Sequence, residues 1–158
     1  MKAPGPETAI PAVVSGTLTT VDHKKISFQH FKNGAHAVII IAHGYYSSKE
    51  VVILQQLARA FGGAYDIFMF DFRGHGKSSG VFTWTSREGN DLRAVLDFIA
   101  PQYSRKGLIA FSMGASISIN VLATDKLNPF NRPVFPPDDF FNSAVSQYAH
   151  SMLYTFFF

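Results

Sequence analysis

The sequence contains no cysteine, so it can form neither a disulfide bond nor a thiolate metal site, and it does not indicate a redox compartment. It also has few charges, because Asp, Glu, Lys and Arg make up only 16% of its 158 residues. The 14 basic residues exceed the 11 acidic residues by three and are spread along the chain. A nucleic-acid-binding surface would need them to be clustered, so we expect no nucleic-acid partner.

Long apolar segments are absent as well. Before the C-terminal tail, the longest continuous apolar run is Ala37 to Ala42, whereas a membrane-spanning helix needs roughly 18 residues or more. The first 12 residues lack the apolar segment of a secretory signal. We therefore expect one globular domain without a transmembrane segment, in the cytoplasm.

The apolar residues that are present form alternating strand and helix patterns. Two alternating segments, Val13 to Val21 and Ile26 to Phe31, predict an antiparallel hairpin. Three later strands, each followed by a helical pattern, give the order β-α-β-α-β-α, which predicts an α/β fold with a mainly parallel sheet and flanking helices. Capping-box spacing at Ser47 to Glu50 and at Thr85 to Glu88 predicts the start of the first two helices.

The last 34 residues do not follow this pattern. Four of the eight prolines lie between Pro129 and Pro137, and the chain ends on three phenylalanines. We interpret residues 125–158 as an irregular Pro- and Phe-rich tail and not as a separate domain. This tail is expected to be truncated, frame-disrupted or only partly ordered. The sheet edge beside the last strand is then expected to be bare. A bare edge and an apolar tail would favour self-association.

A candidate nucleophile lies where the third strand pattern meets its helix. The apolar strand Leu108 to Phe111 runs into Ser112, and Gly114 and Ala115 follow it. The pattern Ala-Phe-Ser-Met-Gly is G-x-S-x-G with alanine in the first position. A serine on such a sharp strand-to-helix turn exposes its hydroxyl, and the turn needs small neighbours. The alternative is a buried structural serine.

The glycine-rich segment Arg73 to Gly80 offers two competing motifs. Residues 76–80 match G-x-S-x-G in full, but they lie in a polar loop rather than between a strand and a helix. Gly76-Lys77-Ser78 resembles the end of a phosphate-binding P-loop, which would make the protein a nucleotide-binding one. The motif requires glycine where Asp71 stands, and no helix follows. We expect the glycines of this loop to adopt positive φ and His75 to be a loop histidine.

Three landmarks thus follow three successive strands: His43-Gly44-Tyr45, Asp71 to Ser78, and Ser112. Their order resembles the N-terminal half of the α/β-hydrolase superfamily, particularly its serine aminopeptidase and monoacylglycerol-lipase-like branch, over roughly Val13 to Ala123. The resemblance implies that residues 1–124 are the N-terminal part of this fold, truncated after the helix that follows Ser112. It also implies a serine hydrolase for a small ester or peptide substrate, with no cofactor or metal.

In this resemblance Ser112 forms an acyl-enzyme, and the backbone N–H groups of Tyr45 and Met113 form the oxyanion hole. The family's acid and histidine follow the serine in the chain. Downstream of Ser112, the candidates are His150 and three acids, Asp125, Asp138 and Asp139. His150 follows too closely for the β-α units that normally carry these residues. A non-catalytic protein of the same fold, a pseudo-enzyme or binding module, is therefore the alternative.

Overall fold

The computed structural model describes residues 12–124 and the strand at residues 153–157. Among these residues, no helix is long and apolar enough to cross a membrane. The six strands are β1 (Ala12–Thr19), β2 (Lys25–Lys32), β3 (Ala37–Ala42), β4 (Asp66–Phe70), β5 (Arg105–Phe111) and β6 (Leu153–Phe157). The three helices are α1 (Val52–Phe61), α2 (Gly89–Ile99) and α3 (Met113–Thr124).

The strands form one mixed sheet in the order β1-β2-β4-β3-β5-β6. Its centre, β4-β3-β5, is parallel, and α1 and α2 make the crossovers between these strands. The hairpin β1-β2 pairs antiparallel with β4 on one side, and β6 pairs antiparallel with β5 on the other. The predicted α/β fold with a hairpin and a parallel centre is confirmed.

The core lies on both faces of the sheet, which explains why the central strands are apolar throughout. In β3, Val38 and Ile40 belong to the cluster that contains the buried residues of α2 and α3. Ile39 and Ile41 belong to the cluster on the opposite face, which α1 covers. The three helices therefore hold the sheet from two sides and leave the carboxyl ends of β3, β4 and β5 to carry loops.

The predicted helix starts are wrong in detail. Neither α1 nor α2 has a side-chain cap, so Ser47 to Glu50 and Thr85 to Glu88 are not capping boxes. The fully buried carboxylate of Glu88 instead accepts hydrogen bonds from the N–H of Thr83 at 2.6 Å and from its hydroxyl at 2.9 Å. This carboxylate fastens the loop before α2 and does not reach back as a cap would.

The tail contributes one strand to the sheet. Leu153 of β6 lies opposite Phe111, and Phe157 lies opposite Gly107. The expectations of an irregular tail and of a bare β5 edge are therefore wrong at these five residues, since β6 occupies that edge. Residues 1–11, 125–152 and 158 lie outside the described residues. The division of the chain at residue 124 and the self-association stay predictions.

Candidate active site

Ser112 lies in the turn between β5 and α3, at the carboxyl end of the strand. Its φ is +45°, a left-handed conformation that costs a non-glycine residue about 1–3 kcal/mol. The Ser112 carbonyl accepts hydrogen bonds from the N–H groups of Ala115 and Ser116, so α3 begins directly after the turn. Ser112 is exposed to solvent. The strand-to-helix turn is thus found at the residue where the sequence predicts it.

Gly114 lets this turn pack closely against the end of β3. A Cβ atom at Gly114 would lie 2.5 Å from the His43 carbonyl oxygen and 2.8 Å from the Ala42 carbonyl oxygen. A Cβ atom at Gly44 would lie 3.4 Å from the Ser112 Cβ. Backbone therefore meets backbone at this point, and the residue after Gly44 is brought beside Ser112.

The structure brings together the three residues that the sequence assigns to the site. Ser112, Tyr45 and Met113 line one open cleft of about 350 Å³. Because Met113 is the first residue of α3, its N–H belongs to the first helical turn, where N–H groups have no partner within the helix. Unpaired N–H groups and the helix dipole favour an anion at this place.

Sequence reasoning missed five other residues that line the cleft: Phe82, Trp84, Thr85, Ser116 and Ile119. The available signal was the aromatic pair Phe82 and Trp84, which follows the glycine-rich loop and interrupts a polar stretch. Ser116 and Ile119 lie one and two helical turns beyond Ser112 on α3, so their presence follows once the helix is known.

His43 has a structural role. It is fully buried, its Nε2 accepts a hydrogen bond from the Phe72 N–H at 3.0 Å, and its Nδ1 lies 2.7 Å from the Gly44 carbonyl oxygen. These partners select the neutral tautomer with the proton on Nδ1. Burial lowers the pKa of His43 to about 4 from the ordinary 6.5. His43 thereby holds the ends of β3 and β4 together and is not available as a base.

His75 lies in the loop, near the site but turned to other partners. Its Nδ1 is 3.0 Å from the Arg73 carbonyl oxygen, and its ring centroid is 5.7 Å from that of Tyr45. Among residues 12–124, no side chain forms a hydrogen bond with the Ser112 hydroxyl. Asp125, Asp138, Asp139 and His150 lie outside the described residues. The described part of the site therefore has a candidate nucleophile and candidate oxyanion donors but no general base.

The glycine-rich loop is organised around a carboxylate. Asp71 is fully buried and accepts hydrogen bonds from the Lys49 N–H at 2.7 Å, from the Lys49 ammonium at 2.5 Å and from the Lys77 N–H at 2.9 Å. Gly74, Gly76 and Gly80 have positive φ, as predicted. The Lys77 ammonium pairs with Glu50. Both the N–H and the ammonium of Lys77 are thus bonded to carboxylates of the protein, so this arrangement does not favour nucleotide binding.

Arg73 joins this loop to two other elements. Its buried guanidinium pairs with Asp22 in the β1-β2 turn at 2.6 Å and with Asp91 of α2 at 2.7 Å. Burial opposes the charged form, but hydrogen bonds to the two carboxylates outweigh it and raise the pKa of Arg73. The hydrogen bond from Arg73 is the largest cause that holds the pKa of Asp22 well below its ordinary value.

Within residues 12–124, no group of three or more His, Asp or Glu side chains could hold a metal ion. Residues 33–134 match the model of a known family, described as serine aminopeptidase, S33. The chain belongs to this serine aminopeptidase family. The match includes all three landmarks that carry the predicted resemblance, which is confirmed.

Solved structures similar to this serine aminopeptidase family member are α/β hydrolases. An esterase from Pyrococcus furiosus is 32% identical with a TM-score of 0.66, over 73% of this chain and 48% of the esterase. An α/β serine hydrolase homologue from Coxiella burnetii is 25% identical with a TM-score of 0.62, over 72% of this chain and 58% of the homologue.

A third similar structure shows the fold alone. It is an α/β serine hydrolase without a lid from Xanthomonas campestris, 24% identical with a TM-score of 0.60, over 70% of this chain and 56% of that protein. The chain thus spans about half the length of the structures it matches. A search of curated proteins found no match.

Proposed function

We propose that this protein is a serine hydrolase that cleaves carboxylic esters or peptide-like amides through an acyl-enzyme on Ser112. The supporting observation is that Ser112 is exposed in a left-handed strand-to-helix turn and shares one cleft with Tyr45 and Met113. Its membership of a hydrolase family and its similarity to an esterase agree with this proposal. We further propose that the site needs no cofactor and that the protein is cytoplasmic.

In this mechanism the Ser112 Oγ attacks the substrate carbonyl carbon, and the carbonyl oxygen becomes a tetrahedral oxyanion. The backbone N–H groups of Tyr45 and Met113 would donate hydrogen bonds to that oxyanion. Donors that are fixed before the reaction stabilise the developing charge, and removing one such donor costs about 3–4 kcal/mol. Collapse of the intermediate expels the alcohol or amine and leaves the acyl group on Ser112, and water then releases the acid.

The step that needs another residue is removal of the Ser112 proton. A serine without a positioned base is a poor nucleophile, and His43 and His75 are both bonded to backbone groups. The base would have to come from outside the described residues, where His150 is the downstream candidate. The second candidate function, a non-catalytic binding protein of the same fold, is favoured by this one observation.

A fluorophosphonate probe tests the proposal, with Ser116→Ala as the matched control. Ser116 is also exposed and lines the same cleft, but it lies within α3. We expect mass spectrometry to find the label on Ser112, and we expect Ser112→Ala, but not Ser116→Ala, to abolish it. Labelling of both serines, or of neither, would contradict a nucleophile at Ser112 and support the non-catalytic function.

The rate of turnover reports whether this chain contains its base. Without a base, the oxyanion hole and binding alone accelerate hydrolysis by about 10³ to 10⁴ over water. If the chain lacks its base, we therefore expect slow hydrolysis of p-nitrophenyl acetate and little change in Ser112→Ala. Rapid turnover that Ser112→Ala abolishes would instead show that a base is present, and His150→Ala would then test the downstream histidine.

A further inference from the structure

Part of the cleft beside Ser112 is apolar surface that stays open to solvent. Tyr45 is 38% exposed, Ile119 is 44% exposed and Trp84 is 77% exposed, and all three line the cleft together with Phe82. Single exposed apolar side chains are common, but a contiguous group of them marks a place where a ligand or partner binds. Here the group lies directly beside the candidate nucleophile.

The aromatic side chains of this group are packed against one another. The ring centroids of Tyr45 and Phe82 are 4.8 Å apart, those of Phe82 and Trp84 are 5.2 Å apart, and those of Tyr45 and Trp84 are 6.1 Å apart. These separations fall in the range of favourable aromatic pairs. The three rings therefore form a wall that exists before any ligand arrives.

The backbone that carries Trp84 is held in an uncommon conformation. Trp84 has φ +55° and Thr85 has φ +70°, and a left-handed β-branched residue is a rare outlier. The buried Glu88 carboxylate holds Thr83 on the N-terminal side of this pair, and the Thr83 hydroxyl accepts a hydrogen bond from the Arg87 N–H at 3.0 Å. Backbone strain that is fixed in this way is concentrated at ligand sites.

The cleft also lacks charge. None of the eight residues that line it is Asp, Glu, Lys or Arg. The buried carboxylates nearby in the sequence, those of Glu88 and Asp71, already accept hydrogen bonds from Thr83 and Lys49. An ammonium group placed in this cleft would lose water without gaining a carboxylate partner, which is unfavourable.

From this combination we propose that the cleft binds the uncharged apolar acyl chain of an ester substrate, with Trp84 as a specificity-determining residue. The inference rests on the proposed function, because the carbonyl carbon of that chain must reach Ser112. It favours apolar esters over peptides whose free amino group would enter the cleft.

Binding can be measured without turnover, since Trp84 is the only tryptophan of the chain. In the Ser112→Ala variant of the whole chain, butanol, hexanol and octanol should each shift the Trp84 fluorescence in a saturable way. Burial of each further methylene should raise the affinity about three- to fourfold. Octylammonium should bind at least about tenfold more weakly than octanol, because its charge has no partner in the cleft.

A pair of surface substitutions separates the cleft from unspecific apolar binding. Ile119→Ser should weaken octanol binding, whereas Val52→Ser should not, because Val52 is 71% exposed on α1 and does not line the cleft. Absence of a saturable shift, equal binding of octylammonium, or equal effects of the two substitutions would overturn the proposal. A fluorescence shift that depends on protein concentration and not on alcohol concentration would also overturn the proposal, because it would show that a second copy of the chain occupies the cleft.

Kinetics test the role of Trp84 itself through Trp84→Asn. Asparagine tolerates left-handed backbone, so this substitution removes the ring and keeps the turn. The rate ratio of p-nitrophenyl octanoate over p-nitrophenyl acetate should fall about tenfold or more. An unchanged ratio would overturn the specificity role. Saturable alcohol binding without labelling of Ser112 would refute the proposed hydrolase but not this cleft, whereas turnover without chain-length dependence would refute the cleft alone.

Discussion

Replacing Asp71 by alanine should be among the most damaging single changes in the described part of this protein. The substitution leaves the Lys49 ammonium, 2% exposed, without the carboxylate it contacts. It also removes the acceptor of two backbone N–H groups, those of Lys49 and Lys77. Three donors that Asp71 alone satisfies in the folded state therefore lose their acceptor in one step.

The magnitude follows from burial on both sides of the pair. Removing one partner of a buried ion pair costs about 3–5 kcal/mol, because the remaining charge stays desolvated. For a chain of this length, a loss of about 4 kcal/mol lowers the melting temperature by about 8–16 °C. Lys49→Met should cost less than Asp71→Ala, since Asp71 keeps its two backbone donors. The double variant should be more stable than the sum of the two single losses predicts.

Thermal unfolding followed by circular dichroism is the assay, and Glu50→Ala is the control. Glu50 pairs with Lys77 at 2.6 Å in the neighbouring loop, but that ion pair is exposed, so solvent screens it. We expect the control to unfold close to the parent chain. If Asp71→Ala destabilised the protein no more than Glu50→Ala does, the loop would not depend on the buried pair and our reasoning would be wrong.

Two further predictions concern His43 and Gly114. The pKa of His43 is lowered to about 4 in the folded chain. Between pH 6.5 and pH 4 this histidine is therefore protonated in the unfolded chain but stays neutral in the folded chain. The free energy of unfolding should fall by about 3 kcal/mol over this pH range. Urea unfolding across this pH range should show that the free energy of unfolding falls less steeply with pH in His43→Gln than in the exposed control His36→Gln. Equal pH dependence in the two variants would contradict the lowered pKa of His43. Gly114→Ala should destabilise the protein although alanine is the better helix former, because its Cβ would lie 2.5 Å from a backbone oxygen. Gly63→Ala is the control, because a Cβ atom at Gly63 would have no atom within 4 Å, and it should leave the melting temperature unchanged. Similar melting temperatures for the two variants would refute the close packing of Gly114 against β3.

The elements that could be predicted from the sequence are those whose signal is local. The apolar run before Ser112 and the small residues after it suffice to predict a strand, a turn and a helix. The glycines of the loop predict positive φ for the same reason, since few other residues adopt it without strain. The buried parallel centre follows from β-branched runs that alternate with helical patterns.

Other features depend on partners that a local pattern does not contain. The spacing of Thr85 and Glu88 suits a capping box, yet the Glu88 carboxylate accepts a hydrogen bond from the Thr83 N–H instead. The position of Trp84 depends on two left-handed residues in succession, which no motif announces. The pairing of β6 with β5 joins segments more than 40 residues apart, which no local pattern contains.

The pairing of Arg73 with Asp22 and Asp91 has a consequence for local unfolding. The β1-β2 turn lies at the outer edge of the sheet and would ordinarily be among the first parts to open. Here its opening separates Asp22 from a buried guanidinium and leaves that cation with Asp91 alone. Fraying of the hairpin is thereby coupled to the glycine-rich loop and to α2. The Ser78 and Ser79 hydroxyls, which accept hydrogen bonds from the N–H groups of Ser27 and Lys25 in β2, add to this connection. We therefore expect the edge hairpin and the loop beside the cleft to open together.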